Sequence, residues 1–326
     1  MITNNTHMIK RLIPVLSLLL LWGVSSAQRP QSIVVNGELG TVSPIQSRMV
    51  CNDAGTIQNF GPHTGSSNDI TPDTIFLCFN DQILIDHAGD IDISGDPDPS
   101  TTGGVGYAFY ECPPSIEGDN LATILTDPCL FQAPFFTDEN GVVIGQIGQD
   151  SMWISTSDVS GDINFMNDGF LQVGFNSGSP ILFWFAPITL DNLTGTTNGY
   201  EENAMGEAGP CVNVSTDQAF AVVYLNEITT QDINTNAGTN GCRGSFRVTG
   251  GLPEFNGGNY DNISITLASD PSISGDILSG PATHNENVVF TIPQPGLYDI
   301  TIADGKGCPA SFQMDMSNCT GISIFA

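Results

Sequence analysis

Short runs of β-branched and aromatic residues, each closed off by turn formers, leave this chain little to build except strands. The segments "DTIFLCFNDQILI" (73–85), "VGYAFYEC" (105–112), "GVVIGQI" (141–147), "GFLQVGF" (169–175), "SPILFWFAPITL" (179–190) and "QAFAVVYLNEI" (218–228) are each bounded by Gly, Pro, Asn, Asp or Ser. With 36 Gly and 20 Pro among 326 residues, long helices find no uninterrupted stretch. The best helical candidate, "GDNLATILTD" (118–127), offers two or three turns. The expected fold class is all-β, built from sandwiches.

The opening segment reads as an export signal. Lys10 and Arg11 precede the apolar run "LIPVLSLLLLWGV" (12–24), and Ser25 and Ala27 mark a cut before Gln28. The run is short for a membrane span, and no second long apolar run follows. The expected location is secreted or on the outer cell surface, without membrane insertion after cleavage. Beyond residue 27 the chain has five basic residues against 35 acidic ones, with no Lys or Arg between Arg48 and Arg243. Such a surface repels nucleic acid and anionic lipid and suits divalent cations or salty water. Hydrophobic content of 40% with 18 Phe argues against a disordered chain.

The polar stretch "TTQDINTNAGTNG" (229–241) reads as a linker between a larger sandwich domain (28–228) and a small unit (242–319), followed by a tail (320–326). In the small unit "SFRVTG", "NISITLA", "VVFTI" and "YDITIAD" alternate polar and apolar residues, giving five or six short strands. Eight cysteines in an exported chain argue for disulfides. None forms a CxxC pair, so structural zinc is not expected. Cys242 opens the first strand of the small unit and Cys308 precedes its last, so a Cys242–Cys308 bond would tie terminal strands. Cys112 and Cys129 are a second candidate pair. Five cysteines precede residue 230 and three follow it. Either one bond crosses between the two parts or two thiols stay free.

The text "CRGSFRVTGGLPEFNGGNY…PGLYDITIADGKGCPASF" resembles the repeat module of the large gliding-motility-associated surface adhesins of Bacteroidota. Those modules open with Cys and "GGxPxY"-like text and close with "GxYxxxxxDxxGC". Here "GGLPEF" (250–255), "PGLYDITIAD" (295–304) and "GKGC" (305–308) follow in the same order, with Phe255 where the family has Tyr. The segment "DTIFLCFND…SGDPDPSTTGGVGYAFYECPP" (73–114) is similar to the N-terminal region of such proteins. The resemblance implies an Ig/PKD-like β-sandwich module over 242–319, an adhesive or structural role, and export by the type IX secretion system. The family's C-terminal sorting domain has no counterpart here. "NCTG" resembles the start of a further module, so the tail reads as the beginning of a missing one.

For chemistry, the acidic stretch "AGDIDISGDPDPS" (88–100) stands out. Asp90, Asp92, Ser94, Asp96 and Asp98 offer an oxygen at every second position around Gly95, as a calcium loop would. Thr101 stands where an EF-hand places its bidentate Glu, and no helices flank the loop. The competing reading, which we prefer, is a strand with Ile91 and Ile93 turned inward that ends at the Asp-Pro steps 96–97 and 98–99. A second acidic Gly loop, "TSDVSGDINFMNDG" (156–169), is a weaker candidate. No HExxH, GxSxG or P-loop is present, and no catalytic residues are assigned. His87 beside Asp86 reads as structural, and Glu201–Glu202 as a solvated turn. Trp153, Trp184, Tyr107, Phe109 and Tyr200 are candidate platforms for sugar rings, although "ILFWFAP" reads as buried strand.

The sequence therefore points to a non-catalytic surface module for structure or adhesion, with calcium as the one cofactor it suggests. Its partners would be cell-surface components or extracellular polysaccharide. A secreted carbohydrate-binding protein is the alternative and a polysaccharide-acting hydrolase the third.

Overall fold

The continuous apolar runs become strands covered on both faces. The computed structural model describes residues 33–35, 38–40, 53–68, 74–93, 104–118, 121–132, 136–137, 143–144, 152–157, 160–190, 213–238, 241–279 and 282–319. The chain divides into units 1–49 and 50–326. In the first, β1 (Ile33–Val35) and β2 (Glu38–Gly40) form an antiparallel pair. Every other element lies in the second unit.

The larger half of that unit contains β3 (Ile57–Thr64), β4 (Thr74–Leu77), β5 (Gln82–His87), β6 (Gly104–Tyr110) and the one-turn helix α1 (Leu121–Ile124). The short pair β7 (Phe136–Thr137) and β8 (Val143–Ile144) follows, then β9 (Ile154–Thr156), β10 (Ile163–Met166), helix α2 (Phe170–Phe175), β11 (Ile181–Leu190) and β12 (Phe220–Tyr224). A five-stranded sheet in the order β4-β12-β11-β6-β9 faces a three-stranded sheet in the order β10-β5-β3. The β12–β4 pairing is parallel and the others are antiparallel.

Strand alternation sends each central strand into two cores at once. On β6, Tyr107 and Phe109 point between the sheets, while Ala108 and Tyr110 pack under α1 and Leu130. On β12, Val222 and Tyr224 face the inter-sheet core, but Val223 turns toward the smaller half. This is why all of β6 and β12 is buried. Both faces of the sheet are covered, so an apolar side chain is favoured at every position rather than every second one. The inter-sheet core is dense in aromatic rings, with Phe109–Phe185 at 4.7 Å and Phe165–Phe185 at 4.5 Å between centroids.

The smaller half consists of β13 (Thr229–Gly238), β14 (Gly241–Thr249), α3 (Gly251–Asn256), β15 (Asn262–Leu267), β16 (Asp270–Ser274), β17 (Asp276–Ile277), β18 (Asn287–Ile292), β19 (Leu297–Ala303) and β20 (Pro309–Asp315). They form two four-stranded sheets, β13-β14-β18-β17 and β16-β15-β19-β20. Phe246 and Phe290 from one sheet meet Tyr298, Ile300 and Ile302 from the other. The all-β sandwich class is thus what the chain adopts.

Several details differ from expectation. The stretch 229–241, expected as a linker, supplies strand β13, which pairs with β14 from Thr229↔Thr249 to Gly238↔Gly241. Its backbone ladder needs no apolar side chains. Residues 231–236 are all exposed, so polar Asn and Thr suffice at this sheet edge. The two halves share one compact unit instead of standing as separate domains. "GFLQVGF" forms helix α2 because Leu171 and Phe175 lie one turn apart and pack on the inter-sheet core. The 118–127 candidate yields only the single turn of α1. "DTIFLCFNDQILI" breaks into β4 and β5 at Asn80, whose φ is 67°.

The expected Cys242–Cys308 bond is not formed. Cys242 bonds Cys319, with Cα atoms 5.6 Å apart, and Cys308 bonds Cys78 of the larger half, at 5.2 Å. Cys308 closes the 304–308 turn, whose Lys306 carbonyl accepts a hydrogen bond from Asn68 N–H at 3.0 Å. That turn meets the larger half at Ser66 and Asn68. Cys112 and Cys129 are bonded, with Cα atoms 5.0 Å apart. No helix among the described residues is long and apolar enough to cross a membrane.

Candidate functional site

The acidic loop is the natural first place to look. Ser94, Asp96 and Asp98 lie outside the described residues, as does Thr101. β5 ends at His87, so the expected strand over Ile91 and Ile93 is reduced to a single bridge. In it Asp92 and Asp53 exchange backbone hydrogen bonds at 2.6 and 3.0 Å. Ile91 is half-buried against the inter-sheet core. Asp90 is committed locally: its carboxylate accepts from Thr56 N–H at 2.9 Å and from Thr56 Oγ1–H at 2.8 Å. Those bonds, led by the backbone one, hold its carboxyl below the usual carboxylate range. No group of three or more His, Cys, Asp or Glu side chains converges for a metal among the described residues.

In the second acidic loop Asp162 accepts from the His87 N–H at 2.9 Å, and Asp168 accepts from Phe170 N–H at 3.0 Å. Asn167 is buried and donates to the carbonyls of Leu77 and Leu225 at 2.8 and 2.7 Å. Asp158 lies outside the described residues. These side chains tie loops to strands and do not converge.

His87 is a structural hub. Its Nδ1 accepts from Gly89 N–H at 3.0 Å, so the ring proton sits on Nε2 and is donated to the Ala54 carbonyl at 2.8 Å. The ring is wedged between Gly55 and Gly161, at φ +70° and +93°, where an added Cβ would come within 2.7 Å of imidazole carbon. His63, Asp81 and Ser67 superficially resemble a hydrolytic trio. The carboxylate stands between the other two, however, with His63 Nε2 at 3.5 Å on one side and the Ser67 hydroxyl donating on the other. The same hydroxyl accepts from Cys78 N–H at 2.8 Å. A serine nucleophile needs the base beside its own oxygen, and this arrangement lacks it.

The candidate sugar platforms are mostly interior. Tyr107, Phe109 and Trp153 are buried, and Trp184 is half-buried against the α1-side core. Tyr200 and the Glu201–Glu202 pair lie outside the described residues. Two surface features remain. A shallow, open depression of about 500 Å³ is lined by Glu227, Asn262, Thr301, Pro309 and Ser311. It offers hydroxyl, amide and carboxylate groups and no aromatic ring. On α2 and the adjoining end of β10, Met166, Phe170 and Val173 expose apolar side chains.

Sequence reasoning missed the most elaborate polar construction, the junction between the halves. Three buried aspartates, Asp81 and Asp304 at this junction and Asp127 within the larger half, each lie near a disulfide and are satisfied mainly by backbone N–H groups. Asp81 accepts from Ser66 N–H at 3.0 Å and Ser67 N–H at 2.7 Å. Asp304 accepts from Leu252, Lys306 and Cys308 N–H at 2.6, 2.9 and 3.0 Å. Asp127 accepts from Ser115, Ile116 and Cys129 N–H, each at 2.8 Å. The first two flank the Cys78–Cys308 bond. Beside it the Lys306 ammonium sits 4.0 Å over the Phe76 ring, which also meets Phe255 edge-on at 6.3 Å. Asn226 donates from its side-chain amide to Glu254 at 3.0 Å, and its carbonyl accepts from Gly251 N–H at 2.9 Å. Phe76, Val223 and Leu225 join the core of the smaller half, so apolar contact is continuous across the boundary. Phe255 and the 304–308 turn of this junction fall in the "GGLPEF" and "GKGC" text of the sequence, which is the signal that marks the place.

Among the described residues the junction brings no base beside a serine oxygen and no group of three or more His, Cys, Asp or Glu side chains that could hold a metal. Comparison with protein-family models and with curated proteins finds no match for the chain.

Proposed function

We propose that this is an exported, non-catalytic structural and adhesive module of the gliding-associated surface-adhesin type. Its task is to hold a binding surface at a fixed distance and orientation from the cell. The observation that carries the reading is the junction. A disulfide, a shared apolar core and hydrogen-bonded carboxylates join two sandwiches into one body, which is what a rigid spacer requires and what a hinged enzyme would avoid. Three formed disulfides suit an oxidising location outside the cytoplasm. The acidic surface favours partners that are neutral or cationic over nucleic acid.

The test is attachment. Beads coated with the purified chain should adhere to cell-surface material or to extracellular polysaccharide. Reducing the Cys78–Cys308 bond should weaken adhesion under flow more than adhesion at rest. Equal loss in both, or turnover on a polysaccharide or ester panel, would overturn the reading.

The depression at Glu227, Asn262, Thr301 and Ser311 supports carbohydrate recognition as a second reading, because its polar groups match sugar hydroxyls. Asn262→Ala would then abolish saturable glycan binding while leaving the melting temperature unchanged.

A further inference from the structure

We propose that the Cys112–Cys129 disulfide is a thiol-exchange site, at which a small external thiol attaches covalently and reversibly to Cys112 of the folded protein. The three bonds differ in access. Cys78, Cys308, Cys242 and Cys319 are each 3% exposed or less. Cys112 is exposed, between exposed Glu111 and Pro113, and Cys129 is half-buried. Exchange requires a thiolate to reach one sulfur from the side away from the other. Because Cys129 is the more buried partner, the approach to Cys112 is the one that solvent reaches.

The backbone around the bond is held without it. Glu111 N–H donates to the Cys129 carbonyl at 2.7 Å, Phe131 N–H donates to the Phe109 carbonyl at 2.9 Å, and Tyr110 bridges Leu130. The Asp127 carboxylate gathers the N–H groups of Ser115, Ile116 and Cys129, each at 2.8 Å. These bonds keep the two Cα atoms, 5.0 Å apart, in place when the disulfide opens. Cys129 then stays beside Cys112, poised to expel whatever has attached there.

The surrounding charge selects the thiol. Glu111 and Glu117 are exposed, Asp127 lies against the Cys129 N–H, and the chain has no Lys or Arg between Arg48 and Arg243. A thiolate that carries an ammonium group meets less repulsion here than an uncharged-tailed one, and an anionic tail meets most.

The step balances between the two reactants. The external thiolate attacks Cys112 Sγ. A bond from Cys112 to the incoming sulfur forms as the Cys112–Cys129 bond breaks, and the electron pair leaves on Cys129 Sγ, which takes a proton from water. Attack by the Cys129 thiolate on Cys112 Sγ reverses the step and releases the external thiol.

The full folded chain is treated with cysteamine at about 1 mM, quenched with acid, capped with N-ethylmaleimide and digested without reduction. The expected cysteamine adduct is on Cys112 and the capped thiol on Cys129, forming at least about tenfold faster than any adduct or thiol at Cys78, Cys308, Cys242 or Cys319. Removing cysteamine before capping should restore the bond. Per thiolate, cysteamine should react faster than 2-mercaptoethanol, and 2-mercaptoethanesulfonate slowest, with the three rates converging in high salt. As a second measure, the Cys112 thiol of Cys129→Ser should react with 2,2′-dipyridyl disulfide at least about tenfold faster than the Cys129 thiol of Cys112→Ser. Equal rates at all three bonds, an adduct on Cys129, an adduct that persists after cysteamine is removed, the reverse order of thiols, or equal reactivity of the two variants would each overturn the proposal.

Discussion

Replacing Cys78 and Cys308 together by alanine would remove one covalent tie and leave the rest of the junction in place. The bonded residues are 230 apart in sequence. Closing a loop of that size in the unfolded chain corresponds to about 5 kcal/mol in the loop-entropy model. The Cys242–Cys319 bond shortens the path between the two positions, but the dependence is logarithmic and the figure stays near about 5 kcal/mol. The Cys112–Cys129 bond, with a separation of 17, corresponds to only about 3 kcal/mol. The two double variants should therefore rank, with the junction pair the more destabilised. Guanidinium unfolding followed by Trp153 and Trp184 fluorescence measures both. The denaturant slope should rise in each variant, since the freed unfolded chain exposes more surface. The apolar core shared by both halves should keep unfolding in a single transition. A loss below about 1 kcal/mol for Cys78→Ala/Cys308→Ala, or the reverse ranking, would refute the reasoning.

Asp81→Ala leaves the Ser66 and Ser67 N–H groups and the Ser67 hydroxyl without their acceptor. We expect a loss of about 3 kcal/mol by chemical denaturation, and a change under about 0.5 kcal/mol would show that water replaces the carboxylate. Tyr110, Tyr224 and Tyr260 are pushed up from the ordinary value of 10.0, first by burial and secondarily by nearby carboxylates. Because the folded state favours the neutral phenols, their contribution is complete below pH about 10 and is lost as pH rises above it. The tyrosinate absorbance of these three should accordingly appear only as the protein unfolds at alkaline pH, and their smooth ionisation in the folded protein would contradict this. Asp90 is occupied by Thr56, so chelator-stripped protein should melt at the same temperature in millimolar calcium. A rise beyond that given by sodium chloride of equal ionic strength would refute this.

The sandwich class was legible because turn formers bracket each apolar run. What the runs concealed was the number of layers. A strand such as "AFAVVYL" says that both faces are covered without saying by what, and here the cover on one face is the smaller half, which begins at Thr229 just beyond it in the sequence. The segment 229–241 misled because edge pairing uses backbone groups, which composition does not report. "GFLQVGF" misled because its residues suit both periods; only the burial of Leu171 with Phe175 selects the helix. Cys242–Cys308 was inferred from strand position alone, whereas the direction each cysteine faces decides its partner. Of the site residues, Tyr107 and Trp153 looked like platforms for the same reason that they are core: large aromatic surface fills an interior as well as it stacks on a ligand. The buried aspartates left no trace in the sequence, since their partners are main-chain N–H groups and 35 acids offer no way to choose three.

Those three aspartates bear on the medium in which such a protein can work. Backbone N–H donors at hydrogen-bond distance are short-range and sheltered, so dissolved ions do not weaken them as they weaken a Lys–Asp pair at a surface. Interior polar order is thus independent of ionic strength. The many acidic side chains outside repel one another, and salt relieves that repulsion. A fold that satisfies its buried acids without cations should become sturdier, not weaker, in brine.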